Sequence, residues 1–374
     1  MRILTLIAML MCMAGCSGNS PETINHQLFD SEKLSFAVDT LATGLENPWG
    51  MAFLPDGRIL IAERPGRLRI WEDGTLKEGG VAGLPEIWAR GQGGLLDVVL
   101  HPDYTNNQWI YLVHAATGEG DGGSTAISRG RLEGDELLDV ETLFHGKPHT
   151  RAGQHFGSRL VFDGQGYMFS TIGDRGVMDT AQDLESHNGT VLRLHDDGRV
   201  PEDNPFAGDP DALPEIWSYG HRNIQGMQFR PGSDELWTHE HGPKGGDEIN
   251  IIHRGGNYGW PEVTHGINYD GTIITPDTTK PGMIDPLLHW TPSIAPCGMT
   301  FVYGDRYPEW QGNLLVGALA NQHIHRVELR DTTVVHTERI LEGMARFRDI
   351  RHGPDGYLYV LTEEPGLFFR IIPQ

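Results

Sequence analysis

One short segment of the chain, His149–Arg159, concentrates side chains that could take part in acid–base chemistry. It contains two histidines, a glutamine and two arginines, and it leads directly into a run with strand-like alternation. His155 is the strongest candidate, because an imidazole is the side chain best matched to proton abstraction near neutral pH. A structural role for His155 is the competing interpretation, since the chain has 18 histidines.

Arginines in two other segments could bind an anionic ligand. Arg222 and Asn223 lie between glycines in Trp217–Gly226, and an arginine in such a position can hold a carboxylate through two parallel hydrogen bonds. Arg346 and Arg348 are two residues apart in a predicted strand, so their side chains point to the same face. Two cations on one face favour an anionic partner, although structural ion pairs or a solvated face would also explain these arginines.

The segment Glu240–Asn250 has the composition of a calcium-binding loop. It reads Glu-His-Gly-Pro-Lys-Gly-Gly-Asp-Glu-Ile-Asn, which sets backbone carbonyls beside carboxylates. Calcium takes six to eight oxygen ligands of that kind. His239 and His241 raise the alternative of zinc or copper, but no cysteine or further histidine motif completes such a site.

A glycine-rich segment, Arg90–Asp97, is a further candidate for ligand contact. It contains three glycines and Gln92 just before a predicted strand. Glycines let a backbone approach a ligand closely, because no Cβ atom stands in the way. A flexible turn is the alternative interpretation of the same residues.

A repeated strand–turn–strand pattern must position these segments. Most of its copies carry an Asp-Gly or similar turn between two apolar runs. The copies begin at Trp49, Val98, Arg159, Met227 and Ile350. Several are followed by another short β segment, and three to four strands per unit over roughly 340 residues are typical of a propeller. We therefore predict an all-β, six-bladed β-propeller with four-stranded antiparallel blades over residues 36–374, with paired β-sandwiches or a β-helix as alternatives.

The first residues of the chain predict export. One arginine precedes an apolar run too short to span a membrane, which is typical of a signal peptide over residues 1–15. The tetrapeptide that ends at Cys16 resembles the bacterial lipobox, in which the cysteine is lipidated; a plain signal peptide is the alternative. We expect residues 16–35 to form a flexible tether. The expected location is the periplasmic face of the outer membrane through Cys16, or the periplasm.

Composition narrows the possible partners. The formal net charge is −22, from 29 Lys+Arg against 51 Asp+Glu, which disfavours binding to nucleic acid or to anionic lipid headgroups. Any membrane contact is therefore expected only through the N-terminal lipid. With Cys12 and Cys16 in the export segment, Cys297 stands alone, so packing rather than a disulfide framework must stabilise the fold.

The motifs taken together resemble those of the soluble pyrroloquinoline quinone (PQQ)-dependent aldose sugar dehydrogenases, the glucose/sorbosone dehydrogenase-like family. The resemblance runs from residue 40 to the end of the chain. It rests on motifs that are specific when found jointly: Gln154-His155 with Ser158-Arg159, Gly220–Gly226, His241-Gly-Pro with Asp247-Glu-Ile-Asn, and Gly255–Pro261. It implies oxidation of aldose sugars at C1 to the lactone, with PQQ and Ca²⁺ as cofactors and a separate electron acceptor as partner.

The resemblance also implies roles for individual residues. His155 would be the general base that removes the C1 hydroxyl proton, while hydride passes to the C5 carbon of the quinone. Arg222 would stabilise the negative charge that develops on the quinone oxygen. The implied cofactor-binding residues are Gln92, Arg222, Asn223, Leu319, Ala320, Asn321, Arg346 and Arg348. The implied calcium ligands are the carbonyls of Gly242 and Pro243, together with Glu248 and the carbonyl of Tyr258, which belong to the same ion or to a separate structural one.

One stretch departs from the family pattern. Glucose dehydrogenases of the family have a quinone-contacting lysine near the junction of the fifth and sixth blades, where this chain reads Gly317-Ala-Leu-Ala-Asn-Gln-His. Backbone groups of Leu319 to Asn321 are expected to replace it. The chain is also shorter than those enzymes, which predicts an open site that accepts varied aldoses, including oligosaccharides.

Two other functions are compatible with parts of the sequence. A calcium-dependent sugar lactonase-type hydrolase would also want an acidic ion site, but it would not need Arg222, Arg346 and Arg348 around an anion. A non-catalytic binding propeller on the cell surface would keep the fold alone. The presence of both His155 and Arg222 argues against that second alternative.

Overall fold

The computed structural model describes residues 25–374, and almost all of its regular elements are β-strands. Its helical segments are a single α-helical turn, α1 (Tyr104–Asn107), and three short 3-10 turns at Glu119–Asp121, Met178–Gln182 and Pro308–Trp310. Within the described residues, no helix is long and apolar enough to cross a membrane. The predicted signal peptide, Cys16 and the first part of the predicted tether lie outside the described residues.

The strands form six antiparallel sheets, five with four strands and one with five. The first blade contains β3 (Pro48–Phe53), β4 (Ile59–Glu63), β5 (Arg67–Glu72) and β6 (Thr75–Leu76). The second contains β7 (Leu95–Leu100), β8 (Trp109–Thr117), β9 (Gly123–Glu133) and β10 (Glu136–His145). The third contains β11 (Leu160–Phe162), β12 (Tyr167–Ile172), β13 (Thr190–His195) and β14 (Ile216–Ser218).

The remaining blades complete the ring. The fourth contains β15 (Ile224–Phe229), β16 (Leu236–Glu240), β17 (Asp247–Ile252) and β18 (Leu288–Trp290). The fifth contains β19 (Pro296–Phe301), β20 (Leu314–Ala318), β21 (His323–Arg330) and β22 (Thr333–Ile340). The sixth contains, in spatial order, β23 (Phe347–His352), β24 (Leu358–Thr362), β25 (Leu367–Pro373), β2 (Ser35–Thr43) and β1 (Asn25–Asp30). The predicted six-bladed propeller is confirmed, and the sixth blade closes the ring with strands from both ends of the chain.

The hydrophobic core lies between neighbouring blades. The second strands of four blades, β4, β16, β20 and β24, are buried at every position, because both of their faces pack against other sheets. Leu60 of the first blade packs in one cluster with Leu112 of the second, and Trp237 of the fourth packs with Val316 of the fifth. These continuous apolar runs make the strand repeats visible in the sequence.

The N-terminal segment differs from the predicted flexible tether. Residues 25–35 form strand β1 and a tight turn into β2, and the ring of Phe29 stacks on Phe36 with centroids 5.9 Å apart. The Lys33 ammonium also lies 2.7 Å from the Glu328 carboxylate of the fifth blade. The strand was not predicted because the segment is polar and carries no periodic pattern. Most of its order comes from backbone pairing at a sheet edge, which needs no apolar alternation.

The first strand of each blade faces the central channel, and the loops that precede these strands meet at one channel mouth. Gln92, His155, Asn223 and Arg346 each lie at most five residues before such a strand. Further along the channel, the buried guanidinium of Arg159 forms ion pairs with Asp97 at 3.6 Å and with Asp349 at 3.2 Å. The ring of first strands therefore brings chemically useful loops from distant parts of the sequence to one place.

Candidate active site

A cavity of about 360 Å³ lies at this channel mouth. Five of the predicted site residues line it: Gln92, Asn223, Leu319, Arg346 and Arg348. Trp49 and Phe156 contribute apolar surface to the same cavity. A concave site with a few convergent polar groups at the mouth of a closed β structure is the usual form of a small-molecule site.

His155 lies beside this cavity and is held by two contacts. Its backbone N–H donates to Gln92 Oε1 at 2.8 Å, and its Nδ1 lies 2.6 Å from Asp174 Oδ1. The backbone of His155 has a φ of 55°, in the left-handed region that few non-glycine residues adopt. With Nδ1 hydrogen-bonded to a carboxylate, Nε2 is the nitrogen left to accept a proton.

Asp174 was not predicted from the sequence, although it follows strand β12 directly in Gly-Asp-Arg-Gly. Its Oδ2 accepts from the Trp260 indole N–H at 2.8 Å, and its Oδ1 also accepts from the Gly176 backbone N–H at 2.7 Å. Burial by itself would raise the pKa of Asp174, but the contacts with His155 and Gly176 lower the pKa overall. Asp174 is therefore an ionised carboxylate that fixes the orientation of the imidazole.

The protonation of His155 is set by its surroundings. Burial lowers the pKa of His155, the positive charges of Arg222 and Arg175 lower it further, and the hydrogen bond to Asp174 opposes them. The net result is a pKa below the ordinary histidine value of 6.5. The imidazole is thus neutral at pH 7 and able to act as a base.

Arg222 connects the region around His155 to the segment Glu240–Asn250, called here the oxygen-rich loop. Its Nη1 donates to the carbonyls of His241 at 3.1 Å and Gly242 at 2.7 Å, and its guanidinium carbon lies 5.3 Å from the ring centre of Trp260. Its backbone N–H donates to Glu240 Oε2 at 2.6 Å. Arg222 is buried and does not belong to the residues that line the large cavity.

Arg346 and Arg348 share a carboxylate of the chain, although Arg346 lies just before strand β23 rather than within it as predicted. Glu363 Oε2 lies 3.5 Å from Arg346 Nε, and Glu363 Oε1 lies 2.6 Å from Arg348 Nη2. Arg348 Nη1 also lies 3.0 Å from the sulfur of Cys297, which is buried and has a free thiol. Glu363 was not predicted from the sequence, because nothing local connects it to residues 15 and 17 positions earlier.

The stretch that lacks the family lysine contributes little polar surface to the cavity. Of Leu319, Ala320 and Asn321, the first lines the cavity and the last is exposed. The backbone N–H groups of Leu319 and Ala320 donate to Ala295 and Ile294, at 3.1 and 3.0 Å. These two amides are thus already engaged inside the fold.

The glycines of Arg90–Asp97 have a structural partner. Gly91 has a φ of +61°, and a Cβ atom on it would come within 2.3 Å of the Gly153 carbonyl oxygen. The neighbouring Gln92 donates its backbone N–H to the same oxygen at 2.7 Å. The close backbone approach therefore joins this loop to the one that carries His155, and it leaves the Gln92 side chain at the cavity.

The oxygen-rich loop forms a second, much smaller cavity of about 10 Å³, the size of one water molecule or one ion. Glu240, Gly242, Glu248 and Tyr258 all line it. Burial raises the pKa of Glu248, and the neighbouring charge of Glu240 raises it further. Asn250 donates to both carboxylates, at 3.3 and 3.1 Å, and its own Oδ1 has no hydrogen-bond partner among residues 25–374.

Other residues of this loop have structural contacts. Asp247 accepts from the backbone of Gly242 at 2.8 Å and from the Ser293 hydroxyl at 2.7 Å, which ties two loops together. Pro243 packs against Gly266 rather than lining the small cavity. His239 and His241 each contact a backbone carbonyl, and no group of three His, Cys, Asp or Glu side chains suited to a metal occurs in residues 25–374.

Comparison with known proteins identifies the family. Residues 45–370 match the family model Glucose / Sorbosone dehydrogenase. The chain belongs to this family. It is 42% identical over 372 residues to the aldose sugar dehydrogenase YliI of Escherichia coli, covering 98% of this chain and 97% of that protein.

Solved structures agree with this assignment. The crystal structure of the soluble aldose sugar dehydrogenase from Escherichia coli in the apo-form superimposes with a TM-score of 0.88 at 44% identity, covering 91% of this chain and 100% of that one. The PQQ-bound form of the aldose sugar dehydrogenase from Streptomyces coelicolor gives a TM-score of 0.77 at 27% identity, covering 92% and 99%. The family predicted from the motifs is confirmed, and the chain is a quinoprotein-type sugar oxidoreductase rather than a lactonase or a non-catalytic propeller.

Proposed function

We propose that this protein oxidises aldose sugars at C1 to the lactone, with PQQ as cofactor and His155 as general base. The observation that carries the proposal is the buried His155–Asp174 pair, with Nδ1 and Oδ1 2.6 Å apart, beside a cavity lined by two arginines. The PQQ bound to the Streptomyces relative supports the choice of cofactor.

The residues around the large cavity fit a planar, multiply carboxylated cofactor. Arg346 and Arg348 would bind its carboxylates, and Gln92 and Asn223 would provide hydrogen bonds. Glu363 neutralises part of the positive charge of the two arginines. When a ligand carboxylate binds, the arginines must therefore either contact Glu363 and the ligand together or give up their contact with Glu363. When bound, PQQ supplies a quinone that accepts the hydride from C1 of the sugar.

The chemistry assigned to the protein itself is proton transfer and electrostatic stabilisation. Nε2 of His155 takes the proton of the C1 hydroxyl, while Asp174 holds the ring and stabilises the imidazolium that forms. The buried guanidinium of Arg222 provides positive charge where negative charge develops. Both effects gain strength from burial, because water does not screen the charges there.

The small cavity fits a calcium ion. Glu248, Glu240 and Tyr258 line a space of one ion, with Arg222 also at its wall, and a divalent cation there would remove the repulsion between the two carboxylates. A second ion would use the carbonyls of Gly242 and Pro243 next to the cofactor. Gly242 already accepts from Arg222 at 2.7 Å, but a carbonyl oxygen has two lone pairs and can serve both.

Reconstitution tests the proposal directly. The purified protein, stripped of metal and cofactor, is mixed with PQQ and Ca²⁺ and assayed with aldoses and an artificial dye acceptor. We expect dye reduction that requires PQQ and a sugar, together with a shift of the quinone absorbance on binding. No activity and no absorbance shift would show that the proposed function is wrong.

We further propose that the protein is exported and anchored through a lipid on Cys16, and that an electron acceptor in the same compartment reoxidises the cofactor. The proposal rests on the lipobox-like sequence at residues 13–16. Labelling of expressing cells with a radioactive fatty acid should mark the wild-type protein and leave Cys16→Ser unmarked. Equal labelling of both would contradict the anchor.

A further inference from the structure

A fully buried positive charge lies next to the proposed base. Arg175 has 0% exposed surface, and within the part of the chain that the structure describes no carboxylate lies close enough to its guanidinium for a salt bridge, although the charge of the adjacent Asp174 raises its pKa. Its Nε has no hydrogen-bond partner there either. Burying a guanidinium without a direct ion pair is energetically costly, so the position of this charge calls for an explanation.

The contacts of Arg175 all go to the loop that carries His155. Its Nη1 donates to the Gln154 carbonyl, and its Nη2 donates to the Ala152 carbonyl at 2.6 Å. Its guanidinium carbon lies 3.4 Å from the ring centre of Phe156. The side chain therefore contacts the residues on both sides of His155 without contacting the imidazole itself.

The loop that carries His155 and the segment that carries Asp174 and Arg175 each contain a residue with a left-handed backbone. His155 and Arg175 both have left-handed backbones, with φ of 55° and 54°. Asp174 binds the imidazole, and the next residue binds the loop backbone around it. Neutral donors could also satisfy two carbonyls, and at a smaller desolvation cost, so the positive charge itself calls for an explanation.

We propose that Arg175 is a positioning residue for His155, which clamps the loop from Ala152 to Phe156 and places a buried positive charge beside the imidazole. This inference rests on the proposed role of His155 as a base. It adds a residue that touches neither the large cavity nor the small one.

The positive charge of Arg175 lowers the proton affinity of His155. The charged groups that face His155 are Asp174, Arg222 and Arg175, and the two arginines oppose protonation of the imidazole while Asp174 favours it. Burial lowers the pKa of Arg175 to about 10, so it remains charged at neutral pH. Without Arg175, burial and Arg222 would still oppose protonation, but one of the two opposing charges would be gone, and His155 would be protonated at a higher pH.

Histidine titration followed by NMR tests the inference without cofactor or substrate. Full-length protein labelled with ¹⁵N-histidine is compared as wild type, Arg175→Gln and Arg175→Lys. We expect the His155 midpoint to rise by roughly half a pH unit or more in Arg175→Gln and to stay near the wild-type value in Arg175→Lys, because lysine keeps the charge. Arg151→Gln, which removes an exposed arginine of the same loop, should leave the midpoint unchanged.

Kinetics of the PQQ-loaded enzyme provide a second measurement. In Arg175→Gln, the acid limb of the kcat/KM profile should move to higher pH. In Arg175→Lys, the limb should stay in place while kcat falls, because one ammonium cannot bind both carbonyls in the planar geometry of a guanidinium. An unchanged His155 midpoint in Arg175→Gln, or an equal shift in both variants, would overturn the inference.

The two variants also keep the test independent of folding and of the proposed function. If Arg175→Gln does not fold, Arg175→Lys decides alone, and a shifted His155 midpoint in it counts against the inference. The NMR midpoint needs neither PQQ nor sugar. A failed reconstitution with the expected midpoints would therefore reject the proposed function, while the effect of Arg175 on the proton affinity of His155 would stand.

Discussion

At the scale of single residues, the site is a base whose partners come from other loops. His155 contacts Gln92 and Asp174, and the charge of the Arg222 guanidinium lowers its pKa. The imidazole is partly buried, with 13% of its side chain exposed, which leaves it open to a substrate while lowering its affinity for protons. Removing the base should affect chemistry more than binding.

We predict that His155→Ala retains PQQ and loses sugar oxidation. The expected fall in kcat is about 10² to 10⁴-fold, the range for loss of a general base. Binding of PQQ is measured by its absorbance and kcat by dye reduction. His336→Ala, which removes a half-exposed histidine that pairs with Glu32, is the matched control and should keep full activity. Loss of PQQ in His155→Ala would show that His155 is a binding residue.

The pH dependence of the reaction depends on the lowered pKa of His155. The base is active when deprotonated, so activity should persist as pH falls below 6.5 and should decline only at a more acidic pH. The same shift makes the unfolded chain bind more protons than the folded one, so this histidine contributes stability that falls as pH drops from 6.5 through its folded-state pKa. A kcat/KM profile with its acid limb at or above 6.5 would contradict the assigned surroundings.

At the scale of elements, two parts of the fold have roles that can be separated from catalysis. The turn between β16 and β17 brings Glu240 and Glu248 together as register partners on adjacent strands. The N-terminal hairpin of β1 and β2 closes the sixth blade and contacts the fifth. We expect the stability of the turn between β16 and β17 to depend on calcium, and that of the β1–β2 hairpin to depend on packing.

Removal of calcium should destabilise the protein through Glu248. A chelator is expected to lower the Tm of the wild type by several degrees, because an ion bound only to the folded state stabilises it and because Glu248, whose pKa is raised by burial and by Glu240, loses its counter-charge. Glu248→Gln should make the Tm insensitive to the chelator, while Glu119→Gln, at an exposed position, should respond like the wild type. Scanning calorimetry with and without Ca²⁺ measures both. If the Tm of the wild type is the same with and without the chelator, this ion site is excluded.

The N-terminal hairpin should stabilise the ring through one apolar contact. Phe29→Ser removes the stacking on Phe36 and is expected to lower the Tm by a few degrees. The neighbouring Leu28 is 66% exposed, so Leu28→Ser should leave the Tm unchanged. Thermal unfolding followed by circular dichroism compares the two. Equal effects of both substitutions would show that β1 adds no specific packing.

At the scale of the whole molecule, the ring makes one catalytic mouth from the loops of several blades. Arg348 of the sixth blade contacts Cys297 of the fifth and lies 3.4 Å from Gln225 of the fourth. The large cavity remains open to solvent, with exposed residues such as Gln92 and Glu364 at its edge. An open mouth places few restrictions on the groups attached to the reacting sugar ring.

We therefore predict broad substrate use. Glucose, galactose and maltose should be oxidised with kcat/KM values within about one order of magnitude, because differential contacts of about 1.4 kcal/mol give a tenfold difference and an open site offers few of them. The reconstituted enzyme is assayed with each sugar under the same conditions. Activity restricted to glucose would contradict an open site.

The sequence by itself determined the strands, the repeat and the types of chemical group at the mouth. Alternation of apolar residues and Asp-Gly turns are local signals, so the copies from Trp49 onward were readable without a structure. The copy formed by β19 and β20 was missed, since twelve residues with a 3-10 turn separate its strands. His155 and the arginine pair are predictable because an imidazole suits proton abstraction near neutral pH and two arginines two residues apart favour an anionic partner.

Only the tertiary structure decided which groups meet. Asp174 reaches His155 across 19 positions, and Trp260 reaches Asp174 across 86, so no local pattern could connect them. Glu363 and the buried Arg175 likewise gain their significance from burial and charge, which depend on the neighbours that the closed ring supplies. A proton affinity is a property of surroundings, and those surroundings exist only after the blades have packed.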